Sequence, residues 1–266
     1  MIKKDSFEKH ISKARVKKIS IITVCLNSEA TIADTLNSVV NQGYSDYEHI
    51  VFDGGSTDGT IDILKSYKDK VRLIEGSDSG IFDAMNQAIS FASGDVIGIL
   101  NSDDFYSNNG VLSKVMEVFK NSHTASVYGD LCYVNRKDVT QISRYWKARS
   151  LNVNSFKYGW SIPHPTFFVK RELYDLYGKF DSSFKVSGDY ELTLRFLLKH
   201  RIAVEYIPEI LVYMRTGGNS DQGIAQRIRS YREDRIAWKK AGLKPRFYTV
   251  IFKVLRKLPQ LTKQKR

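Results

Sequence analysis

At 266 residues, with 42% hydrophobic and 12% aromatic side chains, the chain carries enough apolar surface for a full-sized core, which excludes an intrinsically disordered polypeptide. Two cysteines, Cys25 and Cys132, exclude a disulfide-built fold, and no run approaches the roughly 18 apolar residues of a membrane span. The net charge of +12 is confined to residues 227–266, where fourteen Lys or Arg face only Glu233 and Asp234, so the rest of the chain is electrically balanced.

Residues 1–17 read as a basic lead-in without the apolar core of a signal peptide, which points to the cytosol. Residues 18–26 are a near-continuous β-branched run and predict a strand, with Cys25 as a small buried thiol inside it. Ile32, Leu36, Val39 and Val40 then recur at helical spacing. The alternation continues with a strand over 48–52, a helix over 60–68, a strand over 71–75, a helix over 81–92 and a strand over 96–100. Such alternation predicts a parallel sheet covered by helices, with the ligand where the strand C-terminal ends open into loops. Beyond Tyr106 a helix over 111–120 and a strand over 125–134 follow, whereas 141–158 has no clear period but carries Arg144, Trp146, Lys147 and Arg149, where acceptor contacts are expected. Helices over 170–177 and 190–199, a strand over 202–207, and helices over 221–241 and 246–258 complete the chain.

The loops after the strands are polar, acidic and glycine-rich: Asn27-Ser28-Glu29, Asp53-Gly54-Gly55-Ser56-Thr57-Asp58-Gly59, Glu75 to Gly80, and Asn101-Ser102-Asp103-Asp104. Neighbouring carboxylates such as Asp103 and Asp104 can hold a hard divalent cation that takes further ligands from phosphate and water; two Asp after a strand also make an ordinary turn and cap. In the second loop glycines permit close backbone approach and Asp53 can accept hydrogen bonds from a base or ribose, while Asp58 has the place of a helix cap. Neither a Gly-Lys-Ser/Thr phosphate loop nor a GxGxxG spacing is present.

The segments VCLNSEATIADTLNSVVNQGYSDYEHIVFDGGSTDGT, SGIFDAMNQAISFASGDVIGILNSDDFY and HPTFFVKRELYDLYGKFDSSFKVSGDYELTLRF resemble family 2 nucleotide-sugar glycosyltransferases with the GT-A fold, of the type that builds bacterial polysaccharide or lipopolysaccharide. The resemblance implies an α/β fold: a Rossmann-like mixed sheet with helices on both faces, plus C-terminal helices. It divides the chain into a donor half over 18–106, an acceptor and catalytic-base half over 107–220, and a basic helical appendage over 221–266.

Carried over by position, Asp53 is the nucleobase contact, and Asn101-Ser102-Asp103 is the metal-binding Asp-x-Asp element with its first carboxylate replaced by an amide. Gly54 stands where many relatives have a second Asp. The implied donor set is Asn27, Glu29, Asp53, Gly54, Gly80, Asn86, Asn101, Ser102 and Asp103, with Asp103 and Asp104 holding Mg²⁺ or Mn²⁺. The general base falls on Asp189, which also has the place of a helix N-cap, and Gly188 replaces the Glu that precedes the base in the family. His164, Trp160 and Glu191 are the acceptor candidates, His164 being equally a buried structural histidine, and Arg215 either approaches the diphosphate from its loop or is an ordinary surface arginine.

The reaction so implied is inverting transfer of a hexosyl or N-acetylhexosaminyl group from a nucleotide diphosphate, UDP favoured, to a saccharide carried on a lipid. The rival is a non-catalytic nucleotide-sugar or saccharide-binding protein on the same fold. In the C-terminal segment Phe247, Val250, Ile251, Val254, Leu255 and Leu258 share a helical face amid Arg246, Lys253, Arg256 and Lys257, followed by Lys263, Lys265 and Arg266. This suits peripheral contact of residues 246–266 with an anionic inner membrane face, or equally a helix packed on its own domain. No nucleic-acid-reading motif accompanies the basic tail.

Overall fold

The structure, a computed structural model, describes residues 16–217 and 223–255. The basic lead-in up to residue 15, residues 218–222, and Arg256, Lys257, Leu258, Lys263, Lys265 and Arg266 lie outside the described residues, as do the side chains of Val250, Ile251 and Val254.

Strand β1 (Ile19–Cys25) is buried along its whole length because β2 (Tyr47–Asp53) and β4 (Val96–Ile99) flank it in parallel and helices cover both faces. A strand enclosed on both faces reads as a continuous apolar run, which is why its sequence does not alternate. β3 (Arg72–Glu75) adds to the far side of β2. The register sets Cys25 beside Asp53 and Asp53 beside Glu75, so three strand ends deliver their loops to one edge. Helices α1 (Ile32–Val40), α2 (Thr60–Ser66) and α3 (Ile81–Ser90) make the crossovers, burying Ile32, Leu36 and Val39 from α1 and Phe82, Met85, Ala88 and Ile89 from α3.

Past β4 the sheet ceases to be parallel. β8 (Phe168–Lys170) lies antiparallel between β4 and β6 (Ser126–Val134), and β9 (Val204–Arg215) runs parallel to β6. β5 (Asp104–Tyr106) closes the far edge antiparallel to β9, giving the order β3-β2-β1-β4-β8-β6-β9-β5 with β7 (Ile142–Trp146) paired to β6. One nine-stranded mixed sheet thus runs through both halves of the chain.

The departures from the sequence reading have local causes. β5 and β8 are three residues each, too short for a period to register, and β8 occupies the start of the helix expected over 170–177, which begins as α5 (Glu172–Tyr177). β7 is only half-buried and mixes Ile142 and Trp146 with Ser143, Arg144 and Tyr145, so no clear apolar alternation marks it. β9 extends eight residues past the expected end at 207, because Pro208 interrupts the strand signal and is accommodated by register shifts opposite Gly129 and Asp130.

Helix α4 (Val111–Val118) forms as expected. Helix α6 (Gly188–Thr193) starts two residues earlier than expected and continues over Leu194–Lys199 in wider, π-type turns. Behind it packs α7 (Gly223–Lys240), whose fully buried Trp238 donates its indole N–H to the Tyr190 hydroxyl at 3.0 Å. The last described helix, α8 (Thr249–Leu255), is tied down as well. Thr249 Oγ1 donates to the Lys157 carbonyl at 2.7 Å, and Lys253 Nζ meets both Asp234 oxygens at 2.8 Å. No described helix is long and apolar enough to cross a membrane.

Candidate active site

The loops after β1 and β2 are latched to each other. Asn27, in the left-handed region at φ 50°, accepts from the Thr57 amide through Oδ1 at 2.8 Å, and its own amide donates to Ser56 Oγ. Glu29 Oε2 accepts from the Gly59 amide at 3.0 Å, while Asp58 Oδ1 accepts from the Thr60 amide and hydroxyl in a turn one residue ahead of the N-cap, which is Gly59. Asp53 is buried, and its Oδ1 accepts from the Gly55 and Ser56 amides at 2.9 and 2.7 Å. Its carboxylate therefore shapes the glycine-rich loop, and any base it contacts lies against that fixed group.

At Gly54 a Cβ would meet the Asp78 carboxylate, the movable end of a half-buried side chain from the loop after β3. Asp78 Oδ1 in turn accepts from the Gly80 amide at 2.8 Å, at the start of α3. The Asn86 amide donates to the Phe180 carbonyl at 2.8 Å and accepts from the Phe180 amide at 2.9 Å, which ties α3 to the segment before α6.

Four residues end the β4 loop. Ser102 Oγ lies 2.8 Å from Ser28 Oγ and its carbonyl accepts from Thr31. Asp103 is partly exposed and pairs with Arg136 at 3.3 Å. Asp104 is fully buried; burial, reinforced by the adjacent Asp103 charge, pushes its carboxyl well above the usual range. Its Oδ2 accepts from the Asn101 amide at 3.3 Å, whereas its Oδ1 and Asn101 Oδ1 are buried without a hydrogen-bond partner among the described residues. Two orphaned hard oxygens beside Asp103 fit a divalent cation. The described residues hold no group of three metal-ligating side chains, so such an ion would draw its remaining ligands from phosphate and water.

Arg215 is not free to approach a diphosphate. It is buried, donates to the Asp103 carbonyl at 2.9 Å and pairs with Asp34, so it braces the loop from behind.

Asp189 lies in the first turn of α6, inside the helix rather than at its N-cap, a place taken by Ser187. Its Oδ1 accepts from the Tyr190 amide at 2.7 Å. Burial lowers the His164 pKa, and the Asp189 carboxylate nearby opposes that shift, so the two side chains face each other electrostatically. A cavity of about 450 Å³ is lined by Asn101, Phe82, His164, Trp160 and Asp189, and by Arg144 and Trp146 from β7. It brings Asn101, the first residue of the loop after β4, and Asp189 into one space.

Two acceptor candidates change role. Glu191 is buried in a two-pronged ion pair with Arg195, both contacts at 2.9 Å, and is a structural brace. Trp160 lines the cavity, but its indole N–H already donates to the Ala148 carbonyl at 2.8 Å, so it offers an apolar edge only. Glu233 of α7, unnoticed in the sequence, accepts from the Lys185, Val186 and Ser187 amides at 3.2, 2.8 and 2.9 Å, immediately before Asp189. No local sequence signal could reveal it, since it meets this loop only through tertiary packing.

Residues 20–178 match the family model described as Glycosyl transferase family 2, and the chain belongs to that family. Among curated relatives, a PGL/p-HBAD biosynthesis glycosyltransferase of Mycobacterium bovis (strain BCG) is 27% identical over 209 residues, covering 76% of this chain and 78% of the relative. An uncharacterized glycosyltransferase of Mycobacterium tuberculosis is 30% identical over 180 residues, 66% of this chain and 68% of that protein. Among solved structures, S. aureus TarS 1-349 in complex with UDP-GlcNAc superposes with a TM-score of 0.67 at 22% identity, covering 85% of this chain and 68% of that one. The mannosyltransferase PcManGT from Pyrobaculum calidifontis, in complex with GDP-Man and Mn²⁺, gives 0.63 at 18% identity over 94% of this chain and 71% of that one. The fold is GT-A.

Proposed function

We propose that this family 2 glycosyltransferase is an inverting enzyme that takes a hexosyl or N-acetylhexosaminyl group from a nucleotide diphosphate, UDP favoured, and passes it to a saccharide acceptor. The observation that carries the reading is the single cavity reaching from Asn101 to Asp189, a carboxylate in the first turn of α6 with one oxygen held by the Tyr190 amide. Asp189 accepts the proton of the acceptor hydroxyl as that oxygen attacks the anomeric carbon, and the diphosphate leaves from the opposite face. The UDP-GlcNAc and GDP-Man complexes of the neighbours support a nucleotide-sugar donor.

Asp103 and Asp104 would hold Mg²⁺ or Mn²⁺, and the orphaned oxygens of Asn101 and Asp104 support that assignment. The cation supplies charge stabilisation to the leaving diphosphate. Asn27, Glu29, Asp53, Gly54 and Gly80 shape the donor loops, while His164 and the edge of Trp160 form the acceptor wall. A lipid-linked acceptor, bacterial cell-surface polysaccharide as product, and peripheral attachment at the inner membrane face agree with the basic tail and with Phe247, which is 83% exposed beside Arg246.

The test is a donor panel scored for UDP, GDP or TDP release with Mn²⁺ and with EDTA, in wild type and Asp189→Asn. Expected are EDTA-sensitive release, a loss of about 10²–10⁴-fold in transfer by the variant, and UDP affinity within a few-fold of wild type. A wild type that releases no nucleotide from any donor and acceptor pair would instead establish the binding protein, and activity unchanged by EDTA would remove the metal from Asp103.

A further inference from the structure

Arg144 on β7 lies in the same cavity as Asp189, with its guanidinium carbon 3.7 Å from the ring centroid of Tyr133 and 5.8 Å from that of Trp146. A guanidinium stacked in this way is pre-organised, and its in-plane N–H groups remain available for two-pronged recognition of a carboxylate or phosphate. Its Nε is buried without a hydrogen-bond partner, and among the described residues Arg144 joins no ion pair. A buried, unpartnered donor on a charged group is costly unless a ligand completes it.

Charge around Arg144 points the same way. Lys147 and Arg149 line the cavity from the same segment, and neither joins an ion pair among the described residues. Lys253, another lining cation, is already neutralised by Asp234. Asp189 is the only carboxylate among the lining residues described.

The strand register separates this cluster from the donor diphosphate. Asp104 pairs with Met214, Met214 with Tyr133, and Tyr133 with Arg144, so Arg144 stands three strands along from the metal loop, about 14 Å at the usual strand spacing. Arg144 shares its cavity with Asp189, whereas neither Asp103 nor Asp104 lines it, which sets the guanidinium on the Asp189 side of the site.

We propose that Arg144, flanked by Lys147 and Arg149, is an acceptor subsite for an anionic group, a phosphate or a carboxylate, borne by the saccharide that Asp189 deprotonates. The inference rests on the glycosyl-transfer reading of the cavity and narrows its acceptor class.

Three probes built on one sugar test it: a glycosyl phosphate, the corresponding uronic acid, and the neutral methyl glycoside. Each is titrated calorimetrically into the full chain saturated with UDP and Mn²⁺, so that the diphosphate site is filled. Expected for wild type is at least tenfold tighter binding of one or both anionic probes than of the neutral one, with the preference shrinking between 50 and 300 mM salt. Which anionic probe wins distinguishes phosphate from carboxylate. Arg144→Gln should bring the preference to within threefold, and Arg144→Lys, which keeps the charge without the fork, should leave it intermediate.

No anionic preference in wild type, or equal weakening of neutral and anionic probes by Arg144→Gln, overturns the proposal. Donor hydrolysis by the wild type is scored separately, so a protein that never releases UDP would sink the enzyme reading while the titrations still report on Arg144.

Discussion

Gly188 stands where the family places a Glu before its base, and its surroundings explain why this chain cannot. A Cβ at 188 would meet three ring atoms of Phe82 at 2.8 to 2.9 Å, and that ring is itself stacked on Phe180 with centroids 5.6 Å apart, so it has little room to retreat. Gly188→Ala is expected to destabilise the protein by about 1–3 kcal/mol in urea unfolding, the usual range for overpacking a filled core. Phe82→Leu in the same background should restore most of that loss, because it removes the ring that clashes. At Gly54 the obstacle is only the Asp78 carboxylate, which can rotate aside, so the constraint there is weaker. Both departures from the family pattern are visible in sequence, but the reason at Gly188 is a contact with a residue 106 positions away.

At the scale of elements, the turn that carries Asp189 is held by a helix from the far end of the chain. α7 receives three consecutive amides from the loop before α6 on the Glu233 carboxylate and buries Trp238 against Tyr190, the residue after Asp189. Lys253 of α8 completes the arrangement, lying 3.6 Å from the Tyr190 ring centroid while pairing with buried Asp234. Glu233→Gln keeps an acceptor oxygen and removes the charge, so transfer kcat is expected to fall about tenfold with donor KM within twofold; Glu233→Ala should in addition cost about 1.5–3 kcal/mol in thermal or urea unfolding, as for other hydrogen bonds to a charged group. Loss of stability without the kcat effect in the Gln variant would reduce Glu233 to a brace. The amphipathic pattern that suits α8 to a membrane is thus partly used within the molecule, while Phe247 and Leu255 remain exposed.

The parallel block β1 to β4 and its helices were legible because β1 and β4 are enclosed, β2 is largely so, and α1 and α3 carry their own apolar stripes, so local pattern suffices. β5, β7 and β8 were not, since short or half-exposed strands acquire their structure from the neighbours they pair with.

For the molecule as a whole, the enclosed sheet sets a response to acid. His49, buried on β2 and hydrogen-bonded through Nε2 to Thr23 Oγ1 at 2.9 Å, is pushed down to about 3 by burial. In the unfolded chain it titrates near 6.5, so the native state binds fewer protons throughout the interval between. Its contribution to stability is complete above the unfolded value and is lost as pH falls from about 6.5 toward 3, by roughly 1.4 kcal/mol per unit. Urea midpoints at pH 7.5 and pH 5 should therefore differ for wild type, and His49→Gln should flatten that difference; an unchanged slope in the variant would place the acid sensitivity elsewhere.

By itself the sequence determined the parallel block from β1 to β4, the loops that meet at its edge, and the family, because these depend on local periodicity and on motifs set at fixed distances from strand ends. Tertiary structure alone decided which of the motif side chains remain available for chemistry. Asn86 and Arg215 are engaged by partners from other parts of the chain and Glu191 by Arg195 four residues on, Asp189 lies within its helix rather than capping it, and Arg144 joins no ion pair among the described residues. Whether a polar side chain is free depends on the hydrogen bonds and charges that folding brings to it, and most of those partners are distant in sequence.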